Sequence, residues 1–170
     1  AVTTSGISPM AIPGCKGGQY TADGLEHGEV GTPSAQTDDR IAQMEKRRAK
    51  IEGFDYGDHW ADIEGEGEFA VITWGSTTGL VREALRRRRD DGKGARLLSL
   101  RLLSPVRPEA MADALEGVER ILVVEQSESG QLYRYLRAHY DFDAEMRSFC
   151  RPGPLPILPG DVHREIEAWG

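Results

Sequence analysis

The sequence predicts an α/β fold: a three-layer, doubly wound, mainly parallel sheet, preceded by an extended arm and a helix. From about residue 66 onward, short apolar runs of strand length alternate with segments whose apolar residues recur at helical spacing. Glycine and proline separate these segments, and no repeat or low-complexity tract interrupts them. Such alternation is typical of a parallel sheet with helices on both faces and right-handed crossovers.

The first part of the chain has a different composition. Residues 1–34 hold seven of the twenty glycines and three of the nine prolines, without an apolar period, which predicts irregular extended chain. Thr37 is the expected N-cap of a helix ending near Glu52, with acidic residues in its first turn and Lys46 and Arg47 later. Its apolar stripe is thin, so it should pack on one side only.

An acidic segment follows this helix. Residues 53–68 carry six carboxylates and no lysine or arginine, which favours a solvated linker with Phe54, Tyr56 and Trp60 as anchors. We therefore divide the chain into an arm, helix and acidic linker at 1–65 and an α/β domain at 66–170.

The second domain should contain four strands, each followed by a helix. The predicted strands are 69–74, 96–103, 120–125 and 145–149. The predicted helices carry apolar residues at Leu80–Leu85, at Met111 and Leu115, across Ser129–Tyr140 and across Asp161–Trp169.

Charge and composition exclude several functions. A net charge of −7 repels phosphate backbones and anionic lipid, so neither nucleic acid nor a membrane is an expected partner. Cys15 and Cys150 are too few for a four-cysteine iron–sulfur cluster or a structural zinc site. No spanning segment or signal peptide is visible, which predicts a cytoplasmic protein with reduced thiols. The missing initiator methionine suggests a fragment or a processed product.

One turn is a weak candidate for an anion site. It lies between the first strand of the domain and the following helix, where backbone N–H groups and the helix dipole favour a carboxylate or phosphate. It does not spell G-x-G-x-x-G and lacks a phosphate-loop lysine, so a tight turn capped by Ser76 or Thr77 is the alternative. Its residues are Gly75, Ser76, Thr77, Thr78 and Gly79.

Two further places carry polar residues of interest. Glu26 beside His27 could form an acid/base pair, but adjacent residues on extended chain point apart, which favours anchoring of the loop against another surface. Glu125 and Gln131 flank a strand-to-helix connection, where they could contact a partner or ligand or belong to a capped turn. The basic run Arg86–Arg89 is expected to be a solvated helix end.

Six motifs in order resemble one family. They are ISPMAIPGCKGG (7–18), GLEHGEVG (24–31), MEKRRAKIE (44–52), TWGSTTG (73–79), EQSESGQL (125–132) and CRPG (150–153). They resemble the linker and transketolase C-terminal-like domain of 2-oxoacid:ferredoxin oxidoreductase α (or fused γα) subunits, especially the 2-oxoglutarate type.

The resemblance implies a complex that decarboxylates a 2-oxoacid on thiamine diphosphate with Mg, reduces ferredoxin through iron–sulfur clusters and uses CoA as a substrate. The thiamine-carrying β subunit and the pyrimidine-binding and γ-like parts of α are the implied partners in a hetero-oligomer, with ferredoxin an indirect one. This chain would be a structural part that supplies no catalytic, cofactor-binding or metal-binding residue.

The candidates for interface or loop-anchoring roles are Glu26, His27, Lys46, Arg47, Trp74, Glu125 and Gln131. Two alternatives stay open. The chain could belong to a pyruvate-type, branched-chain or indolepyruvate relative, or it could be an anion- or nucleotide-binding module using Gly75–Gly79.

Overall fold

A computed structural model describes residues 3–169 and divides the chain into two compact units. The division lies between Asp55 and Tyr56, ahead of the predicted one between 65 and 66. The predicted solvated linker at 53–68 is wrong for its middle, residues 57–64, because a helical turn at Gly57–Trp60 and a strand at Ala61–Glu64 occupy it.

The first unit is built around one helix. Its elements are β1 (Glu26–His27), β2 (Pro33–Ser34) and α1 (Thr37–Glu52). β1 and β2 pair antiparallel, and α1 has no buried residue. Thr37 lies inside the helix, so its assignment as N-cap is wrong: Gln36 is the N-cap and makes no side-chain cap hydrogen bond. The Ser34 hydroxyl instead accepts the Gln36 backbone N–H at 3.2 Å.

The second unit is an alternating α/β domain. Its strands are β3 (Ala61–Glu64), β4 (Phe69–Trp74), β5 (Arg96–Leu100), β6 (Arg120–Glu125) and β7 (Glu145–Cys150). Its helices are α2 (Thr78–Asp90), α3 (Pro108–Ala114), α4 (Gln131–His139) and α5 (Pro159–Trp169).

The five strands form one mainly parallel sheet in the order β3-β5-β4-β6-β7. β4, β5, β6 and β7 run parallel, which confirms the predicted fold class, and β3 adds an antiparallel edge. β3 was not predicted, because its four residues, ADIE, include two carboxylates and resemble linker. Ala61 faces Leu100 in the observed register, so β5 supplies the backbone partners that make this segment a strand.

Helices cover both faces of the sheet. Along β4, Ala70 and Ile72 pack into a core with α3 and α4, whereas Phe69 and Val71 pack into a second core with α2 and α5. The near-continuous apolar run of β4 follows from this, since a strand between two helix layers is buried on both sides. No helix within residues 3–169 is both long and apolar enough to span a membrane.

One strand and one helix are shorter than predicted, for identifiable reasons. β5 ends at Leu100 instead of residue 103, because the backbone N–H groups of Arg101 and Leu102 both donate to the Trp60 carbonyl and leave the ladder. α4 begins at Gln131 instead of Ser129, because Gly130 takes up a left-handed conformation with φ of 66° and serves as the N-cap.

Candidate functional site at the carboxyl edge of the sheet

The connections of the sheet diverge between β4 and β6. The chain leaves β4 through α2 to reach β5 on one side, and it leaves β6 through α4 to reach β7 on the other. In open α/β sheets, ligands bind at the carboxyl edge where the strand order reverses in this way. The turn after β4 and the loop after β6 therefore form the candidate site.

The turn after β4 is held by hydroxyl groups that point inward. The Thr77 hydroxyl donates to the Trp74 carbonyl at 2.7 Å and lies 2.5 Å from the Thr73 hydroxyl. Thr73 in turn donates to the Val124 carbonyl of β6 at 2.8 Å. Thr77 and Thr73 are buried, so these bonds join the two central strands at the candidate site.

The N-terminus of α2 has no side-chain cap. Thr77 is its N-cap residue but makes no cap hydrogen bond, so the predicted capping by Ser76 or Thr77 is wrong. The Thr78 hydroxyl lies 2.6 Å from that of Ser99 on β5, whereas Ser76 and Gly79 are exposed. The backbone of this turn is thus open to solvent, and its role as an anion site stays a prediction.

The loop after β6 is organised by the buried carboxylate of Glu125. This side chain is 2% exposed and accepts hydrogen bonds from the backbone N–H groups of Leu132 at 2.8 Å and Tyr133 at 2.9 Å. The Ser127 hydroxyl also donates to it at 2.8 Å and accepts the Gly130 N–H at 3.1 Å. The backbone N–H groups at the start of α4, which lack partners within the helix, therefore find an acceptor in this side chain. The negative charge of the carboxylate also interacts favourably with the helix dipole.

The predicted site residues at the carboxyl edge, Glu125, Gln131 and Trp74, differ in whether their side chains are buried or exposed. The Glu125 carboxylate makes its hydrogen bonds inside the domain, as the alternative of a capped turn requires, and its contact with a partner or ligand stays a prediction. Gln131 is exposed, and its backbone N–H donates to Ser127 at 3.3 Å. Trp74 is 46% exposed. Trp74 and Gln131 keep side chains at the surface and stay interface candidates.

A proline-rich segment borders the same edge. The Gln126 amide donates to the Leu155 carbonyl at 3.0 Å, and the Leu155 side chain is 76% exposed. Arg151 donates to the Asp161 carboxylate at 2.8 Å. The Leu158 backbone N–H, more than Arg151, holds the pKa of Asp161 below its usual value. These contacts fix the segment where the carboxyl ends of the strands meet.

The predicted residues of the first unit form a network of their own. The Glu26 carboxylate accepts hydrogen bonds from Arg40 and Arg47, each at 2.5 Å, and its side chain is only 10% exposed. The hydrogen bond from Arg47, reinforced by Arg40, lowers the pKa of Glu26 to about 2. His27 bonds the Thr21 carbonyl through Nε2 at 2.5 Å. Glu26 and His27 thus have different partners and are not a proton-transfer pair.

Lys46 donates to the Ser8 hydroxyl, which joins α1 to the extended arm. Together with Arg47, it is used inside the first unit. Whether these residues also face another protein surface stays a prediction.

The residues present do not fit a metal cluster. Among residues 3–169 no group of three or more histidine, cysteine, aspartate or glutamate side chains could hold a metal ion. Cys15 and Cys150 belong to different units.

Sequence reasoning missed three residues that hold these networks. Thr73 is a hydroxyl residue inside an apolar strand, which signals that a buried partner is needed. Arg40 lies seven positions before Arg47, two helical turns away on the same face of α1. For Ser127, the sequence offers no indication of this role beyond its position in a turn.

Comparison with known families decides the identity of the fold. Residues 67–151 match the family model described as pyruvate:ferredoxin oxidoreductase core domain II. The chain belongs to this family. The matched range begins just before β4 and ends just after β7, so core domain II contains both the turn and the loop of the candidate site.

Named relatives extend the likeness beyond core domain II. The chain is 36% identical to 2-oxoacid:ferredoxin oxidoreductase 2, subunit alpha, of Aeropyrum pernix over 81% of its length. It is 32% identical to 2-oxoglutarate oxidoreductase subunit KorA of Mycobacterium tuberculosis over 94% of its length. These matches span only 22% and 24% of the two relatives.

A solved structure agrees with the computed one. The 2-oxoglutarate:ferredoxin oxidoreductase of Magnetococcus marinus, solved with 2-oxoglutarate, coenzyme A and succinyl-CoA bound, aligns with a TM-score of 0.78 and 30% identity. The alignment covers 99% of this chain and 30% of that chain. The chain is therefore similar to a part, under a third, of a much longer polypeptide.

Proposed function

We propose that this chain is the C-terminal structural and assembly part of the α subunit of a 2-oxoacid:ferredoxin oxidoreductase. Such an enzyme decarboxylates a 2-oxoacid oxidatively to an acyl-CoA and passes the electrons to ferredoxin. The observation that carries the proposal is the likeness of 99% of this chain to 30% of the Magnetococcus marinus enzyme chain. Core domain II would then act by positioning other parts of the complex.

The exposed apolar side chains of the first unit support an assembly role. Ile41, Met44 and Ile51 form the apolar stripe of α1 and are 50%, 47% and 46% exposed. Val30 on the preceding segment is 84% exposed. Apolar surface of this kind marks sites where another protein surface packs, which is the arrangement proposed for the remainder of the α subunit.

The bonding of the candidate site also supports a structural role. Thr73 and Thr77 join β4 to β6, and Glu125 fixes the start of α4, so the buried polar groups at the switch point hold the fold together. We propose that thiamine diphosphate and Mg, the iron–sulfur clusters and CoA are bound by other parts of the complex. The thiamine-carrying β subunit, the remainder of α and, indirectly, ferredoxin would be the partners.

Two of the relatives favour 2-oxoglutarate as the substrate class. The Mycobacterium tuberculosis relative and the Magnetococcus marinus enzyme both carry 2-oxoglutarate in their names. A pyruvate-type or other 2-oxoacid relative is the runner-up, since the Aeropyrum pernix relative is named for 2-oxoacids in general.

Affinity purification from the source cells tests the proposal. A tagged chain should bring down thiamine diphosphate, iron–sulfur absorbance and CoA-dependent ferredoxin reduction that is faster with 2-oxoglutarate than with pyruvate. Ile41→Asp combined with Ile51→Asp should abolish co-purification, because it places charge on the apolar stripe. Arg48→Ala, which alters an exposed side chain of the same helix, is the matched control and should leave it intact. Oxoacid turnover by the purified chain alone would contradict the proposal.

A second candidate function uses the open turn at the start of α2. Ser76 and Gly79 are exposed there, and the helix is long enough to have a substantial dipole. Calorimetric titration of the chain with phosphate and with coenzyme A tests this alternative. Tight binding that Gly79→Asp removes would favour an anion-binding module over a purely structural domain.

A further inference from the structure

A pocket lies at the opposite, amino edge of the sheet, away from the candidate site. It has a volume of about 430 Å³ and is formed where α3 leads into β6 and where α4 leads into β7. We call it the amino-edge pocket. Its apolar lining includes Met111, Leu115, Val118, Ile121, Phe142 and Ala144.

Four exposed carboxylates line the same pocket: Asp113, Glu116, Asp141 and Asp143. Within the described part of the chain, none of these side chains forms an ion pair or a hydrogen bond. Some acids elsewhere in the second unit have cationic partners, for example Glu64 with Arg82 and Glu83 with Arg86. The amino-edge pocket thus concentrates negative charge that the fold leaves uncompensated.

The helix ends add to this negative potential. α3 ends at Ala114 and α4 at His139, so the negative ends of both dipoles lie at this edge. One nearby cation, Arg96, is already engaged by the Ala114 and Glu116 carbonyls. Arg137 and His139 lie in the last turn of α4 but form no ion pair with the four carboxylates in the described structure.

We propose that the amino-edge pocket docks a basic segment of another polypeptide, which presents several lysine or arginine side chains around one apolar side chain. The four carboxylates come from two separate segments, the end of α3 with the loop after it and the loop after α4, and a single ammonium group cannot compensate all of them. The apolar floor offers burial to a side chain of the segment, while the carboxylates provide electrostatic complementarity. This inference does not depend on the proposed enzyme assignment.

Charge reversal with a matched control tests the proposal. The probe is a fluorescent helical peptide of lysine and leucine, with the leucines on one face, titrated into the full 170-residue chain. Asp113→Lys combined with Asp143→Lys should weaken binding by about tenfold or more, the loss of roughly two ion pairs. Glu128→Lys combined with Glu165→Lys changes the net charge equally, at the carboxyl edge and on α5, and should weaken binding by less than about threefold.

Three results would overturn the proposal. If both double variants weaken peptide binding equally, the peptide is attracted only by the net charge of the chain. Undiminished binding of a lysine–serine peptide would show that the apolar floor has no role, and equally tight binding of spermine would indicate a small organic cation as the ligand. If the lysine variants do not fold, Asp113→Asn with Asp143→Asn against Glu128→Gln with Glu165→Gln gives the same comparison with nearly isosteric side chains.

Discussion

The Glu125 carboxylate accepts the backbone N–H of Leu132 at 2.8 Å, which ties the end of β6 to the first turn of α4. This buried hydrogen bond crosses the switch point of the sheet and organises the loop of core domain II. A negatively charged acceptor at a helix N-terminus satisfies backbone donors and interacts favourably with the dipole. Stability of the second unit should therefore depend on this side chain.

Glu125→Ala is expected to lower the free energy of unfolding by about 2 kcal/mol, because two helix donors and the Ser127 hydroxyl lose their acceptor. Glu125→Gln keeps one acceptor oxygen and should cost less, about 1 kcal/mol. Urea unfolding followed by tryptophan fluorescence measures both, since Trp60, Trp74 and Trp169 all lie in the second unit. An Ala variant as stable as the parent would show that water replaces the carboxylate at no cost.

The Glu26 ion pairs should make the first unit sensitive to acid only at low pH. Arg47 and Arg40 lower the pKa of Glu26 from 4.5 to about 2 in the folded chain. Because the folded-state pKa is the lower one, the stabilisation is present above pH 4.5 and is lost as the pH falls toward 2. The carboxyl carbon of Glu26, followed by NMR, should titrate near pH 2.

The matched variant Arg47→Gln removes the largest contribution to this shift. The Glu26 midpoint should then move upward toward its usual value, and the acid sensitivity of α1 should appear at higher pH. An unchanged midpoint in Arg47→Gln would indicate that Arg40 alone holds the carboxylate.

Arg88 should be the important member of the basic run on α2. It is 5% exposed, donates to Glu167 of α5 at 2.7 Å and lies over the Phe69 ring at 5.1 Å. Arg88→Ala should destabilise the second unit by about 2 kcal/mol, because it removes a largely buried ion pair and ring packing. Arg86→Ala, which breaks only the exposed pair with Glu83, should have a much smaller effect on stability in the same urea assay.

Two glycines with similar backbone conformations should respond differently to substitution. Gly65 and Gly92 have φ of 77° and 76°, so alanine at either site costs about 1 kcal/mol through the left-handed backbone. A Cβ at Gly65 would also lie 2.5 Å from the Ala95 carbonyl oxygen, whereas Gly92 has nothing within 4 Å. Gly65→Ala should therefore cost about 2 kcal/mol more than Gly92→Ala in thermal or urea unfolding.

The arm and α1 show how far sequence reasoning extends at a site. The motif around Glu26 favoured hydrogen bonding over proton transfer, since neighbouring residues on extended chain diverge. Its partners Arg40 and Arg47 share a helix face, but nothing local shows that Glu26 reaches that face. Long-range side-chain pairing depends on how the arm lies against α1, which spacing alone does not encode.

The sequence by itself determined the α/β class, the four parallel strands and the helices between them. Apolar runs such as that of β4 need burial on both faces, and only a sheet between helix layers provides it. The tertiary structure alone decided that Ala61–Glu64 becomes a strand and that the Glu125 carboxylate points inward. The strand forms because its hydrogen-bond partner, the β5 backbone, is distant in sequence and is brought beside it by folding. The carboxylate points inward because the path of the loop places the first turn of α4 next to it.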